Sequence, residues 1–151
     1  MHNRPVMDMN SDSEAGGRCL AVYISGKSCD SIELDHIGVV GDGHYGKDPQ
    51  RSVMLTSVIA YDMAGRKGID LPDGTLEENI LIDIDPYDLP IGSRIGIGEA
   101  VLEISRYGTI CKHLTYIDNR LPKLLKEKRG IFAKVSKPGI VSVGDTVKIL
   151  L

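Results

Sequence analysis

Apolar positions in this chain fall into short runs separated by glycines, and most of the runs carry a two-residue period. Alternation of that kind, or a brief unbroken run of β-branched and apolar residues, predicts strands that are half or fully buried. Residues 18–25 read as a first strand, stopped by Gly26, and residues 31–37 as a second. Residues 38–46 form a glycine-dense turn. Buried strands are predicted at 52–56 and 79–84, and residues 100–106 alternate as a strand that leads to Cys111. Residues 131–136 and 145–150 complete the set. Helical spacing occurs in two places. Over 57–67, Ile59 and Met63 share a face, Ser57 can cap the start and Gly68 can end it. Residues 114–129 are predicted helical with a break near Pro122, which suits the first turn of a second helix, and Gly130 as its C-terminal cap. Pro72-Asp73-Gly74 is a turn.

One pattern occurs twice. Leu89 to Ile97 and Ile140 to Ile149 both run from an apolar residue through glycine and a small polar residue into an alternating strand. Short strands that begin at a glycine turn suit a small β-barrel. The fold class read from the pattern is therefore mainly β with a few helices, in one domain over residues 18–151 without a linker. Residues 1–17 are polar, with Asp8, Asp12 and Glu14, and read as a disordered tail rather than a signal peptide.

Composition narrows this reading without changing it. With 17 glycines, 7 prolines, 6 tyrosines, one phenylalanine and no tryptophan, tight turns suit a barrel better than a helical bundle. A net charge of -3 gives no general attraction to nucleic acid or anionic membrane, and no stretch reaches the roughly 20 apolar residues of a membrane span. The three cysteines fit no zinc spacing, so reduced thiols in a cytoplasmic protein are the simplest reading.

Candidate chemistry centres on Cys111, placed where a strand gives way to a helix. Free cysteine is commonly buried packing. Here Tyr107-Gly-Thr109 breaks the strand, Lys112-His113 puts ionisable groups beside the sulfur, and a helix start adds positive potential, all of which favour thiolate. Both readings stay open on spacing alone. Cys19 alternates as core, and Cys29 reads as a surface thiol in a polar loop. His44, in Gly41-Asp42-Gly43-His44, lies where two glycines permit positive φ or close approach of a ligand; an incidental histidine in a hairpin is the alternative. Asn79, after Glu78, either caps a turn or reads a heteroaromatic ring by donating and accepting together. Arg51, Thr56 and Ser57 flank a helix start that could hold an anion, or form a plain cap beside a surface arginine. Arg120, Lys123, Lys126, Lys128 and Arg129 read as a solvated basic face, with a partner-docking surface as the alternative.

In order along the chain stand Gly-x-x-Gly-Asp-x-His from Gly38 to His44, Arg51-Ser-Val-Met-Leu, and Gly-x-x-x-Glu-Asn-Ile from Gly74 to Ile80. Leu89-x-Ile-Gly-Ser-Arg-Ile-x-Ile-Gly, Cys111 after its strand, Gly130-Ile-Phe-Ala-Lys-Val and Gly139-x-Val-x-x-Gly-Asp follow. Taken together the chain resembles the MOSC domain family, named for the C-terminal domain of molybdenum cofactor sulfurases, as a small stand-alone member. The resemblance implies a MOSC-type β-barrel, a pocket for molybdopterin or the molybdenum cofactor, and a cysteine that carries sulfur as a persulfide or binds molybdenum. Cys111 matches that cysteine and Asn79 the asparagine of the Glu-Asn motif. Thr56, Ser57 and Thr109 fall where some relatives place hydroxyls on the cofactor, with Arg51 and His44 as further contacts. Pyridoxal phosphate binding also travels with the family.

The roles so implied are cofactor sulfuration, biosynthesis or delivery, with a cysteine desulfurase-type donor or cofactor-biosynthesis proteins as partners. Alternatives are a molybdenum-dependent reductase of N-hydroxylated substrates and a non-catalytic pterin- or partner-binding module. Amidoxime-reducing relatives have an arginine two residues before the asparagine. This chain has Glu77 there, whose charge opposes a phosphate and favours the carrier role.

Overall fold

The computed structural model describes residues 16–108, 112–126 and 128–150. The alternating runs are spent on closing a ring of strands. β1 (Gly17–Ile24), β4 (Val53–Ser57), β5 (Ile80–Ile82), β6 (Arg94–Ile97), β7 (Ala100–Tyr107), β8 (Ile131–Lys137) and β10 (Thr146–Leu150) hydrogen-bond in the cyclic order β1-β10-β6-β7-β8-β4-β5-β1. Every neighbouring pair is antiparallel except β4 and β5, which run parallel with Leu55 opposite Ile80. A parallel pair needs a crossover connection, and α1 (Val58–Arg66) supplies it. β2 (Lys27–Cys29) folds back on β1 as a hairpin, while β3 (Ser31–Leu34) and β9 (Gly139–Ser142) make a separate two-stranded ladder. The result is the mixed β-barrel that the sequence pattern predicts.

The repeated sequence pattern has a structural meaning. Gly92 and Gly144 turn the chain at φ of 93° and 92°, a region that glycine enters without steric cost. The strands that follow, β6 and β10, lie side by side, with Val147 opposite Ile97 and Leu150 opposite Arg94.

Apolar side chains fill two compartments. Val22, Leu55, Ile80, Ile82, Ile95, Ile97 and Leu102 pack inside the barrel. Ala60, Tyr61, Ala64, Leu76, Leu81, Leu114 and Leu121 pack between its outer wall and the helices. β5 serves both, with Ile80 and Ile82 inward and Leu81 outward, so its sequence is continuously apolar, as a strand covered on both faces must be. Each such fully buried side chain contributes on the order of 1.5–3 kcal/mol.

Several predicted boundaries move, each for a local reason. The second strand stops at Leu34 because the Asp35 carboxylate accepts the Ile37 and Gly38 N–H groups at 2.8 and 3.0 Å. Cys29 ends a strand rather than lying in a loop. Past Ile82 the Asp83 carboxylate replaces a ladder carbonyl by accepting the Arg18 N–H at 2.7 Å. The later helical region is two short helices, α2 (Lys112–Ile117) and α3 (Leu121–Leu124), with Pro122 in the first turn of α3. Gly130 is not a helix cap, because α3 has ended at Leu124. It is where β8 meets β4, and a Cβ there would stand 2.5 Å from Met54 Cε and 3.0 Å from the Leu55 carbonyl.

Helix α1 begins at Ser57, whose hydroxyl accepts the Ile59 N–H at 3.2 Å. It is tied to the loop before β5 through Tyr61. The Tyr61 hydroxyl lies 2.9 and 2.7 Å from the two oxygens of Glu78 and accepts the N–H groups of Gly74 and Leu76 at 3.0 and 3.2 Å. Glu78 is 2% exposed. Burial pushes its carboxyl above the ordinary value of 4.5, although the Tyr61 hydroxyl and backbone N–H groups pull the other way.

Two glycines should respond oppositely to alanine. Gly130→Ala overpacks the β4–β8 contact and should lower the unfolding free energy by about 1–3 kcal/mol. Gly65→Ala, in α1 with nothing within 4 Å of its Cβ position, should raise it by about 0.5–1 kcal/mol. Urea unfolding of both variants checks the signs. A raised carboxyl binds its proton more tightly in the folded state, so Glu78 contributes stability at low pH that is lost as pH rises above 4.5 through its folded value. Relative to Glu78→Gln, the parent should therefore lose stability as the pH rises above 4.5. Parallel curves for the two proteins would contradict the shift.

Candidate functional site

A cavity of about 610 Å³ opens against β4 and β8. Its other walls are the Ser25–Gly26 turn, the glycine turn around Asp42 to Lys47, the 3-10 turn at Pro49–Arg51, and the loop from Gly74 to Asn79. That volume suits a drug- or cofactor-sized molecule. Met54 and Phe132 give it an apolar wall, and Lys47, Arg51, Arg129, Asp42, Asp48, Glu77 and Glu78 give it charge.

Asn79 and Asp42 assemble the mouth. The Asn79 Oδ1 accepts the Met54 N–H at 3.0 Å, and its Nδ2 donates to the Tyr23 carbonyl at 3.3 Å and to Asp42 Oδ1 at 3.2 Å. Its backbone donates to the Met54 carbonyl and accepts from the Tyr23 N–H, both at 2.8 Å. Asp42 in turn accepts the N–H groups of Ser25 at 2.7 Å and His44 at 3.0 Å, and the His44 ring lies 3.4 Å away. Burial alone would raise the Asp42 carboxyl, but these donors and the His44 ring together hold it below the ordinary 3.8.

The cations are held in three different ways. Arg51 stacks over the Phe132 ring at 5.0 Å and stands 3.7 Å from Asp48. Its Nε is inaccessible and has no hydrogen-bond acceptor among the described residues. Arg129 is only 4% exposed, and its guanidinium donates to the Leu76 carbonyl at 3.3 Å and to Glu77 at 3.4 Å. Lys47 forms no ion pair within 4.0 Å that involves only described residues.

Of the residues singled out from the sequence, the structure brings His44, Arg51 and Asn79 to one cavity. His44 stands at the rim, with its side chain 87% exposed. Asn79 is not free to read a ring with both amide donors, because both are already engaged by the fold. Thr56 and Ser57 are fully buried and absent from the cavity wall. The Thr56 hydroxyl donates to the Arg129 carbonyl at 3.2 Å, and Ser57 caps α1 while its N–H donates to the Tyr87 hydroxyl at 3.0 Å. Both hydroxyls are engaged within the fold. Thr109 and Cys111 lie outside the described residues. Cys19 is core, as its alternation predicts, and burial pushes its thiol up to about 12. Among the described residues no group of three or more His, Cys, Asp or Glu side chains is placed to hold a metal ion, and no helix is long and apolar enough to cross a membrane.

Sequence reading missed Asp42, Lys47, Phe132 and Arg129 as site residues. Asp42 carried a signal, being the acid between two glycines of a turn. Arg129 carried the wrong one: it belongs to a run of cations that reads as a solvated face, yet it is buried. Lys128 is also engaged, 3.3 Å from Asp85 and over the Tyr87 ring at 5.6 Å.

Comparison with known proteins places this geometry in a family. No curated protein sequence matches the chain. Among the solved structures that match at the level of fold are three bacterial proteins. The YuaD protein from Bacillus subtilis is 23% identical with a TM-score of 0.71, the match covering 90% of this chain and 94% of that one. YiiM from Escherichia coli is 21% identical with a TM-score of 0.72, covering 90% and 70%. YiiM from Geobacillus stearothermophilus is 14% identical with a TM-score of 0.64, covering 89% and 73%. The MOSC domain sequence model matches residues 41–148, which include every described cavity residue except Ser25 and Gly26. The chain belongs to the MOSC domain family.

Proposed function

We propose that this protein binds molybdopterin or the molybdenum cofactor in the 610 Å³ cavity and acts in its sulfuration, biosynthesis or delivery, with Cys111 as persulfide carrier or metal ligand. The observation that carries the reading is Arg51. It is held in place by the Phe132 ring and Asp48, and its Nε lacks a hydrogen-bond acceptor among the described residues. That Nε is itself out of a ligand's reach, but the Arg51 side chain is 40% exposed on the cavity wall, and its terminal nitrogens can give a phosphate charge-assisted bonds.

The donor set fits such a ligand. Arg51, Lys47 and Arg129 would hold the phosphate end, and Met54 and Phe132 offer an apolar wall to a flat ring. When bound, the cofactor would supply a molybdenum centre held by sulfur, for which a thiolate is the matching soft ligand. Gly108, hydrogen-bonded to Gly130 beside Arg129 at 2.8 Å, stands three residues before Cys111, and three residues of chain span about 10 Å at most. A sulfur donor of the cysteine desulfurase type would be the partner in a carrier role. Reduction of N-hydroxylated substrates is the second reading, and Glu77 in the cavity wall weighs against it. Pyridoxal phosphate gains no support from the comparisons.

Two outcomes test the proposal. Incubation with a cysteine desulfurase and cysteine should add the mass of one sulfur atom to the intact protein, reversible by reductant. Cys111→Ala should take up none and Cys29→Ser should match the parent. Equal uptake by Cys111→Ala would sink the carrier role. Arg51→Ala should weaken molybdopterin binding by about 10- to 100-fold, the worth of a hydrogen bond to a charged group, as read by titration calorimetry. Unchanged affinity would mean that Arg51 does not meet the phosphate.

A further inference from the structure

Asp42 and His44 stand together at the cavity mouth in a way that the turn itself does not require. The Asp42 side chain is 6% exposed, and both of its oxygens are committed. Oδ1 accepts the Ser25 N–H at 2.7 Å and the Asn79 amide at 3.2 Å, and Oδ2 accepts the His44 N–H at 3.0 Å. These bonds fix the carboxylate. They use only the backbone at position 44, so any side chain there would serve the turn. The histidine ring nevertheless sets Nδ1 3.4 Å from the same Oδ2, while its side chain remains 87% exposed. A carboxylate offers only acceptors, so the ring nitrogen that faces it is the one that carries the proton. Nε2 is left with its lone pair, on a ring that lines the cavity. Among the described residues none engages Nε2. A separation of 3.4 Å is long for a formed hydrogen bond, as such pairs commonly are before a ligand binds. The other charged groups on the wall are Lys47, Asp48, Arg51, Glu77, Glu78 and Arg129. Of the whole set, an imidazole is the side chain suited both to take and to give a proton near neutral pH.

We propose that His44 is the proton-transfer group of this cavity and that Asp42 positions it. The proposal rests on the reading of Cys111 as a persulfide carrier for the reaction served, though not for the pair itself. Nε2 takes the proton of an acceptor thiol held at the mouth. The resulting thiolate attacks the outer sulfur of the persulfide; a new S–S bond forms, and the bond from Cys111 Sγ to that sulfur breaks. The imidazolium, stabilised meanwhile by the Asp42 charge, returns its proton to the leaving cysteine thiolate. One thiol and one persulfide give one persulfide and one thiol, so no electrons enter or leave and no further reactant is needed.

Two measurements on the full chain test this. In imidazole nitrogen NMR spectra at about pH 9, where a histidine ring is neutral, His44 should carry its proton on Nδ1. A proton on Nε2 overturns the pair. Asp42→Asn should abolish that preference, and an unchanged tautomer in the folded variant would remove Asp42 from its role; should the variant not fold, the parent spectrum decides. The second measurement loads the protein with sulfur from a cysteine desulfurase and follows transfer near neutral pH to two acceptors. One is an alkyl thiol, mostly protonated there, and the other a nitro-substituted aromatic thiol, already ionised. His44→Gln should slow transfer to the alkyl thiol about 100-fold more than transfer to the aromatic one, the lower range of general base catalysis. Equal slowing of both would mean that the ring only shapes the mouth, and would overturn proton transfer. Protein that takes up no sulfur would reject the carrier reading, and the tautomer alone would then uphold or overturn the Asp42–His44 pair.

Discussion

The Asn79 amide extends a β-ladder with a side chain. At the start of β5 its Oδ1 takes the Met54 N–H of β4, while its backbone N–H goes to the Met54 carbonyl, so one residue supplies both halves of a strand pairing. The same amide reaches the Tyr23 carbonyl of β1 and the Asp42 carboxylate of the glycine turn. Four segments distant in sequence meet on three polar atoms. Parallel β4 and β5 thus stay joined at this end, where Met54 and Asn79 line the cavity. A side chain lacking either the acceptor or the donors would leave Met54 or Asp42 with an unmet hydrogen bond, which costs about 1–3 kcal/mol when buried.

This also explains what the sequence could and could not reveal. The barrel was legible because strands covered by a core must alternate, or run continuously apolar as Ile80-Leu81-Ile82 does. The Ser57 cap and the glycines before β6 and β10 were legible because local backbone geometry restricts which residues fit. Asn79 was visible as a residue of interest, but its use was not, since the Tyr23 and Asp42 partners are set by tertiary placement. Arg129 was misread because a run of cations carries no record of which one is turned inward. Thr56 and Ser57 sit off the cavity wall, a placement that spacing does not reveal, because a hydroxyl at a helix start looks alike whether it faces a ligand or the fold. Asp35 and Asp83 shortened two strands by supplying side-chain acceptors to backbone N–H groups, which periodicity does not register.

The cavity is close to balanced in charge, unlike a surface that attracts anions by net field. Asp42 is spent on backbone donors, Asp48 accepts the Gln50 N–H at 2.9 Å and stands near Arg51, and Glu78 is buried against Tyr61. Selectivity in such a site comes from which local pairs a ligand can replace, not from overall potential. The Phe132 ring matters in the same way: by stacking under Arg51 it fixes a cation that would otherwise sample many rotamers.

Closure of the ring has a temporal consequence. The barrel is sealed by Gly17 and Arg18 against Val147 and Thr146, the first and last described strands of the domain. During synthesis β1 emerges early and must wait for β10, so the edges of β1 and β6 stay unpaired until nearly the whole domain exists. Such long-range closure slows folding, and an open edge invites pairing with another chain. The interval before β10 arrives is therefore when this protein is most exposed to aggregation.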